Sequence, residues 1–472
     1  MSSEALRGRL PAGPRSCVPG RVIWQYRSRP IEFLEENAAR FGPVFAFSMS
    51  ARRFYVLAEP ELIRRVLVAE ADKFHKGPAL KLASDTLGNG LLSSEDPLHR
   101  RQRALMQPWF HAQWVRRYAA AMVAVSKGVT DGWQPGSVVD VHQQMTRLTV
   151  MAAGQTLFGL ELDQSLDVIG PAMDALLKAF NRLLNPVGRL MMRLPLPSTL
   201  YYARQRDRIL TLVENLIAEK RRRLAAGQIG DDLLTTLLTA NKESQQTQMT
   251  DRQLRDECYT LLAAGHETTS SLLTFALYLL GRHQPMAEEL RRQVMQVLGD
   301  APAAPEAIGE MPLLQHVISE TLRLYPPAWM MARTAIAPFD CGDFVVPVGS
   351  IVFLPQWLLH RDNRWWPHAG QFDPGRWAAP DDKRPRFAYF PFGGGRRQCI
   401  GDSFALQEAA LALATIMQRG LLAPVSDEPL RVYPSITLRP ADKVLLRLLP
   451  AQASGQTGTP TASSGAVNNA AH

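Results

Sequence analysis

The chain has 472 residues, 46% of them hydrophobic and 21% charged, and a formal net charge of +9. That balance belongs to a globular protein with a large core and excludes a disordered polymer. Four cysteines, at 17, 258, 341 and 399, show no CxxC or metal-type spacing, which excludes a disulfide framework for a chain of this size.

The basic balance arises partly from Arg100-Arg101-Gln102-Arg103, Lys220-Arg221-Arg222-Arg223 and Arg396-Arg397. No nucleic-acid reading module accompanies these runs, so no nucleic-acid partner is expected; an acidic protein or a polyanionic cofactor fits them equally well. The 220–223 run reads as a solvated helix face. MSSEALRGRLPAGPRS lacks the apolar stretch of a signal peptide, and no apolar run reaches the roughly 18 residues of a spanning helix. A cytoplasmic monomer with no membrane span is expected.

In chain order, the first thirty or so residues are rich in Pro and Gly and predict an extended leading segment. Phe45 to Ala58 carries aromatic and apolar residues on both sides of Ser-Ala-Arg and predicts a hairpin. From Pro60 to about Gly299 helical patterns dominate; Leu210, Leu212, Val213, Leu216 and Ile217 mark one amphipathic helix. Asp251 opens a helix of roughly thirty residues, apolar on most faces, that exits at Gly281…Pro285. Such a helix crosses the interior of a large protein. Beyond Pro326 come short strands at Phe344–Val346 and Ser350–Leu354. Cys399 lies just before an apolar-periodic helix ending at Gly420. The tail 451–472 contains no Asp, Glu, Lys or Arg and is expected to be disordered. The whole predicts a mainly α protein with small β-sheets, one domain over 1–450.

Cys399 carries the sharpest chemistry. Amide N–H groups and the dipole at a helix N-terminus favour a thiolate, and Arg396 and Arg397 add positive charge. Gly393, Gly394 and Gly395 let backbone approach a sulfur or a flat ring closely. Taken alone, the residue reads equally as an inert buried thiol. Phe392, Gly395, Arg397, Cys399 and Gly401 together form F-x-x-G-x-R-x-C-x-G, however, and this resembles the haem-binding signature of the cytochrome P450 superfamily.

Three further segments resemble that family in the same order. Ala264-Gly265-His266-Glu267-Thr268 resembles its oxygen-activation segment [AG]-G-x-[DE]-T; Thr268 lies one turn from Ala264 on the same helix face. Glu320-Thr321-Leu322-Arg323 is similar to E-x-x-R, and Phe372–Trp377 to F-x-P-E-R-F, with Gly375 and Trp377 departing from the pattern. His99 and Arg103, at i and i+4, resemble the family's pair on the haem propionates.

The resemblance covers residues 10 to 450 and implies the P450 fold, with the haem between the long helix and the cysteine loop. It implies haem b held by Cys399, with Arg333 and Arg397 as further propionate partners and Phe392, Gly393, Gly401 and Ala264 against the ring. Glu267 and Thr268 are implied as a proton relay, and Glu320, Arg323 and Arg376 as a network bracing the cysteine loop. Leu261, Ala264, Ala328, Trp329, Met330, Met331, Ser435, Ile436 and the segment between Phe74 and Leu92 are placed around the substrate. The implied activity is hydroxylation, with O2, of an apolar terpenoid, fatty acid or similar molecule. No flavin, nicotinamide or iron–sulfur motif is present, so electrons are expected from a ferredoxin or flavodoxin with its NAD(P)H-dependent reductase. A peroxide-using peroxygenase or isomerase, and a non-catalytic haem sensor, are the alternatives that the intact Glu267–Thr268 pair disfavours.

Overall fold

The computed structural model describes residues 10–49, 52–183, 186–243, 249–379 and 383–450. The tail 451–472, expected to be disordered, lies outside the described residues. Helices dominate the middle of the chain, and among the described residues the strands form one five-stranded sheet, one three-stranded sheet and two two-stranded sheets. The leading segment is less extended than its composition predicts. Arg21–Ser28 and Pro30–Phe41 are helices, the second with Pro30 in its first turn, where a missing N–H is harmless.

The larger sheet contains β1 (Val44–Met49), β2 (Arg52–Leu57), β3 (Phe74–Lys76), β4 (Met331–Ala335) and β5 (Ile351–Leu354), in the order β1-β2-β5-β4-β3. β1 and β2 pair antiparallel as the predicted hairpin, with Val44 opposite Leu57. β2 and β5 are parallel, joining the N-terminal hairpin to a strand almost 300 residues later. Strands β3 and β4 were not legible in the sequence; they are short, and their pairing sets Lys76 opposite Arg333. One face of this sheet is packed with aromatics, Phe47 stacking on Phe54 at 5.3 Å and Phe353 lying at the same distance from Phe54.

The helices that position the site are α1 (Pro78–Leu87), α2 (Leu98–Met106), α3 (Val141–Ala153), α4 (Leu166–Leu183), α5 (Asp251–Arg282), α6 (Pro312–Leu324) and α7 (Asp402–Arg419). α5 is the axis. Its N-terminus is fixed by a capping box: Gln253 N donates to Thr250 Oγ1 and Thr250 N to Gln253 Oε1. Its most extensive partner is α3, and it also touches α6 and α7. Burial of a side chain such as Leu262, Leu273 or Leu277 contributes about 1.5–3 kcal/mol, which offsets the ordering of so long a helix.

The basic run 220–223 is not uniformly solvated. Arg221, Arg222 and Arg223 are exposed, but Lys220 is buried and ion-paired to buried Asp232, which also accepts from Thr235 N at 2.9 Å. The helix turns Lys220 toward the core, and the loop carrying Gly230 closes over it. Losing one partner strands a buried charge. Asp232→Ala is expected to lower unfolding free energy by about 3–5 kcal/mol in urea titrations, whereas Arg222→Ala changes it little.

Candidate functional site

α6 presents Glu320 and Arg323 on one face, and both are fully buried rather than at the surface. Arg323 Nε and Nη2 donate to the two Glu320 oxygens at 2.8 and 2.7 Å. The same guanidinium donates to the carbonyls of His360 and Ala369, both at 2.7 Å, and of Gln371 at 3.0 Å. Glu320 also accepts from Arg376 Nε, Asp373 N and Trp377 Nε1. Burial pulls the Glu320 carboxyl toward the neutral acid, but the bonded Arg323 outweighs it and holds the group below the usual carboxylate range. Trp377, a departure from the family pattern, supplies an indole donor where phenylalanine has none.

The network reaches the cysteine loop through short links. His360 Nε2 accepts from Phe390 N, and Gln356 Nε2 donates to Phe390 O. Phe392 O then accepts from Cys399 N at 2.9 Å. Gly393 and Gly395 have φ of 73° and 69°. A Cβ on Gly395 would stand 2.0 Å from the Leu67 carbonyl oxygen, and one on Gly394 would stand 2.6 Å from the Phe387 ring. The loop is therefore seated on its neighbours as tightly as glycine allows. Gly401 caps α7, and Cys399 lies at the floor of an open cleft of about 600 Å³ flanked by Arg100, Arg103, Arg396 and Gln398.

Cys399 is reached by solvent, whereas Cys258 is buried. The surrounding protein nevertheless pushes its thiol up to about 11; a backbone amide at Gly401 and the charge of Arg103 only partly offset this. A coordinated cation is what would draw the proton off.

A group of bases stands between β3, β4, α2 and the cysteine loop. Buried His99 is pushed down to about 4 by burial and by the charges of Lys76 and Arg397. Burial, then Arg397, brings Lys76 down to about 7 and Arg333 to about 10. Arg397 pairs with Glu95 through Nη2, but its buried Nη1 has no hydrogen-bond partner among the described residues. Arg103 Nη1 donates to Gln398 O at 2.7 Å. Burial is the first cause of each shift and neighbouring positive charge the second, so these side chains offer donors and charge to an anionic group. The two carboxylates of a haem would fit there. Lys76 belongs to the cluster and escaped sequence reasoning, because its strand gave no signal.

On α5, buried residues run from Asp256 to Ala263 and from Thr269 to Leu277, but Ala264 is exposed and Gly265, Glu267 and Thr268 are partly open. An opening midway along an interior helix marks a space large enough for a flat group. Thr268 Oγ1 donates to Ala264 O at 2.9 Å. Glu267 Oε1 accepts from Thr437 Oγ1 at 2.6 Å, so its partner is Thr437, another residue the sequence did not mark. His266 points away, its Nδ1 2.7 Å from Leu262 O.

Ala328, Met330, Met331, Ser435 and Ile436 are half-buried, and Met331 lies against Gly393. Leu261 is buried in the main core. Trp329 is a correction: it is 4% exposed, sits in the aromatic core beside the sheet, and donates from Nε1 to Ser435 O at 3.0 Å. It braces the 435–437 turn from behind instead of lining an open space.

The family model described as Cytochrome P450 matches residues 11–446. The chain is 33% identical over 427 residues to cyclooctatin synthase of Streptomyces melanosporofaciens, covering 89% of this chain and 91% of the relative. It is 34% identical over 409 residues to cyclooctat-9-en-7-ol 5-monooxygenase of the same organism, covering 86% and 87%. Pentalenene oxygenase of Streptomyces avermitilis is 32% identical over 445 residues, covering 91% and 96%.

One buried acid stands apart from these motifs. Glu408 on α7 is 1% exposed, faces Thr269, and neither of its oxygens has a hydrogen-bond partner among the described residues. Burial pushes its carboxyl up to about 8. Because the folded pKa exceeds the unfolded one, the folded chain keeps a proton that the unfolded chain releases, and stability falls as pH rises through this interval. Glu408→Gln is expected to remove that part of the decline, measured as unfolding midpoint against pH between about 4.5 and 8.

Proposed function

We propose that this chain, which belongs to the cytochrome P450 family, hydroxylates a polycyclic terpenoid and holds its iron through Cys399. It is a haem b monooxygenase. Its substrate class rests on the opening at Ala264–Thr268, on the half-buried apolar side chains of Ala328, Met330 and Ile436, and on relatives whose names denote cyclooctatin and pentalenene chemistry. When bound, the haem supplies the reduction of O2 and the insertion of one oxygen atom into the substrate.

The chain's own residues do the rest. Cys399 gives up its proton to become the iron's ligand, and the Glu320 network keeps the loop from rearranging as it does so. His99, Arg103, Arg333 and Arg397 would hold the propionates, and Arg397 Nη1, which has no acceptor among the described residues, would gain one. Ala264 and Gly265 leave room for the ring. Glu267, held by the Thr437 hydroxyl, would take a proton from water and pass it on by way of the Thr268 hydroxyl, which now donates to Ala264 O. Ala328, Met330 and Ile436 exclude water and adapt to an irregular hydrocarbon.

Family members of this kind take electrons from redox partners. A ferredoxin or flavodoxin, itself reduced by an NAD(P)H-dependent reductase, fits the cleft beside Cys399. Arg100 and Arg396 are exposed there; Arg396 donates from Nη2 to Ala71 O at 3.0 Å and lies 3.8 Å from the Asp96 carboxylate, a long ion pair that leaves its charge largely available.

The test is turnover of pentalenene and cyclooctat-9-en-7-ol with a ferredoxin, its reductase, NADPH and ¹⁸O2. A singly labelled hydroxylated product is expected; binding and oxidation of only small charged metabolites would overturn the substrate class. Thr268→Ala is expected to retain haem while product per NADPH consumed falls roughly tenfold or more. Arg396→Glu is expected to slow reduction by the partner at low ionic strength, with the difference narrowing as salt is added.

A further inference from the structure

We propose that the hairpin over residues 432–440 is a positioning element for the Glu267 carboxyl, with Thr437 holding the acid and Asn181 and Asp174 of α4 setting where Thr437 stands. Val432–Pro434 and Leu438–Pro440 pair antiparallel, Tyr433 opposite Arg439, and residues 435–437 form the turn. A single pair of such short strands is marginal by itself, so the hairpin takes its position from what it touches. At the turn, Thr437 Oγ1 donates to Glu267 Oε1 at 2.6 Å. Among the described residues the Glu267 side chain makes no other hydrogen bond, and no lysine or arginine pairs with it.

The strands of the hairpin are gripped by α4. Asn181 Nδ2 donates to Tyr433 Oη at 2.7 Å, and Asn181 Oδ1 accepts from Ser435 Oγ at 3.2 Å. Arg439 Nη2 donates to Asp174 Oδ1 at 3.1 Å, with its guanidinium 5.4 Å from the centre of the Tyr433 ring. Asn181 and Asp174 stand about two helical turns apart on one face of α4, and Tyr433 and Arg439, which they take, are cross-strand neighbours. Two further links steady the turn: Trp329 Nε1 donates to Ser435 O at 3.0 Å, and Leu438 N to Pro327 O at 2.8 Å. The turn is therefore held between α4, the 327–329 segment and α5.

Fold stability alone explains these residue types poorly. Arg439 and Asp174 are partly exposed, and such a pair contributes about 0–1 kcal/mol. Valine would fill the space of Thr437 as well; the hydroxyl adds a donor aimed at one oxygen of an acid in the opening of α5. A carboxylate on a flexible side chain samples several rotamers, and a fixed donor selects one. With Oε1 taken, Oε2 is left to exchange a proton with water. Helix α4 thus acts on Glu267 through the hairpin. This inference rests on the reading of Glu267 and Thr268 as a proton relay.

The experiment uses the haem-loaded protein. Thr437, Asn181 and Glu267 are half-buried, so their substitution leaves the core intact. Thr437→Val loses the donor at nearly constant shape, Thr437→Ser keeps it, and Asn181→Ala cuts the tie to α4. Two readouts need no substrate. Hydrogen exchange at the Ser435 and Leu438 amides, which bond to Thr437 O and Pro327 O, is expected to speed up roughly tenfold or more in Asn181→Ala. The infrared C–O band of the reduced, CO-bound protein reports polar groups beside the bound gas. It is expected to broaden or split in Thr437→Val and Asn181→Ala and to keep its shape in Thr437→Ser. Neither Thr437→Val nor Asn181→Ala is expected to alter the band further once Glu267→Ala is present. Product per NADPH consumed is expected to fall roughly threefold or more in Thr437→Val and to recover in Thr437→Ser. Unchanged exchange overturns the role of α4. A band that changes equally without the Glu267 carboxyl, or a yield unmoved in Thr437→Val while Glu267→Ala lowers it, overturns the role of Thr437. Failure of the relay reading shows separately, as a yield unmoved by Glu267→Ala itself, and exchange and band then decide the positioning alone.

Discussion

The buried carboxylate of Glu320 organises the segment from which the cysteine loop hangs. One acceptor pair gathers Arg323, Arg376, Trp377 Nε1 and Asp373 N, while Arg323 spends its remaining donors on three carbonyls of the 360–371 stretch. That stretch has little regular secondary structure. Without partners its backbone groups would either take water into the core or leave it. Removing the carboxylate would strand two guanidinium groups, so the network holds together or fails as a unit.

The fixed loop gains meaning from what stands opposite it. The bases around Arg397 are depressed first by burial and then by one another's charge, which Glu95 and Asp96 offset only in part. Such an arrangement costs stability in the isolated chain. It recovers that cost if two carboxylates arrive with a bound group, so cofactor binding and local stability are coupled. Cys399, just ahead of α7, would supply the sulfur for a cation at the centre of that group. Both features prepare the fold for a ligand with an anionic rim and a cationic centre.

Much of this was legible in the sequence because it depends on short-range spacing. Cys399 before a helix, Thr268 one turn from Ala264, and Glu320 one turn from Arg323 follow from local geometry, and the structure places those residues accordingly. What was not legible depends on contacts far apart in the chain. Lys76 enters the basic cluster only through pairing of β3 with β4, and Thr437 meets Glu267 across 170 residues. Lys220 looked like its exposed neighbours because a run of four charges hides which one a helix turns inward. Trp329 was placed around the substrate by the resemblance alone, but an indole beside a sheet of phenylalanines packs with them.

The account stands on the sulfur of Cys399 as the iron's ligand. The most direct measurement is the absorption spectrum of the reduced, CO-bound protein, recorded for the wild type, Cys399→Ser and Cys341→Ser. A Soret band with the red shift of thiolate ligation in the wild type and in Cys341→Ser, lost in Cys399→Ser, is the predicted result. An unshifted band in the wild type, or a shifted one surviving Cys399→Ser, would contradict it.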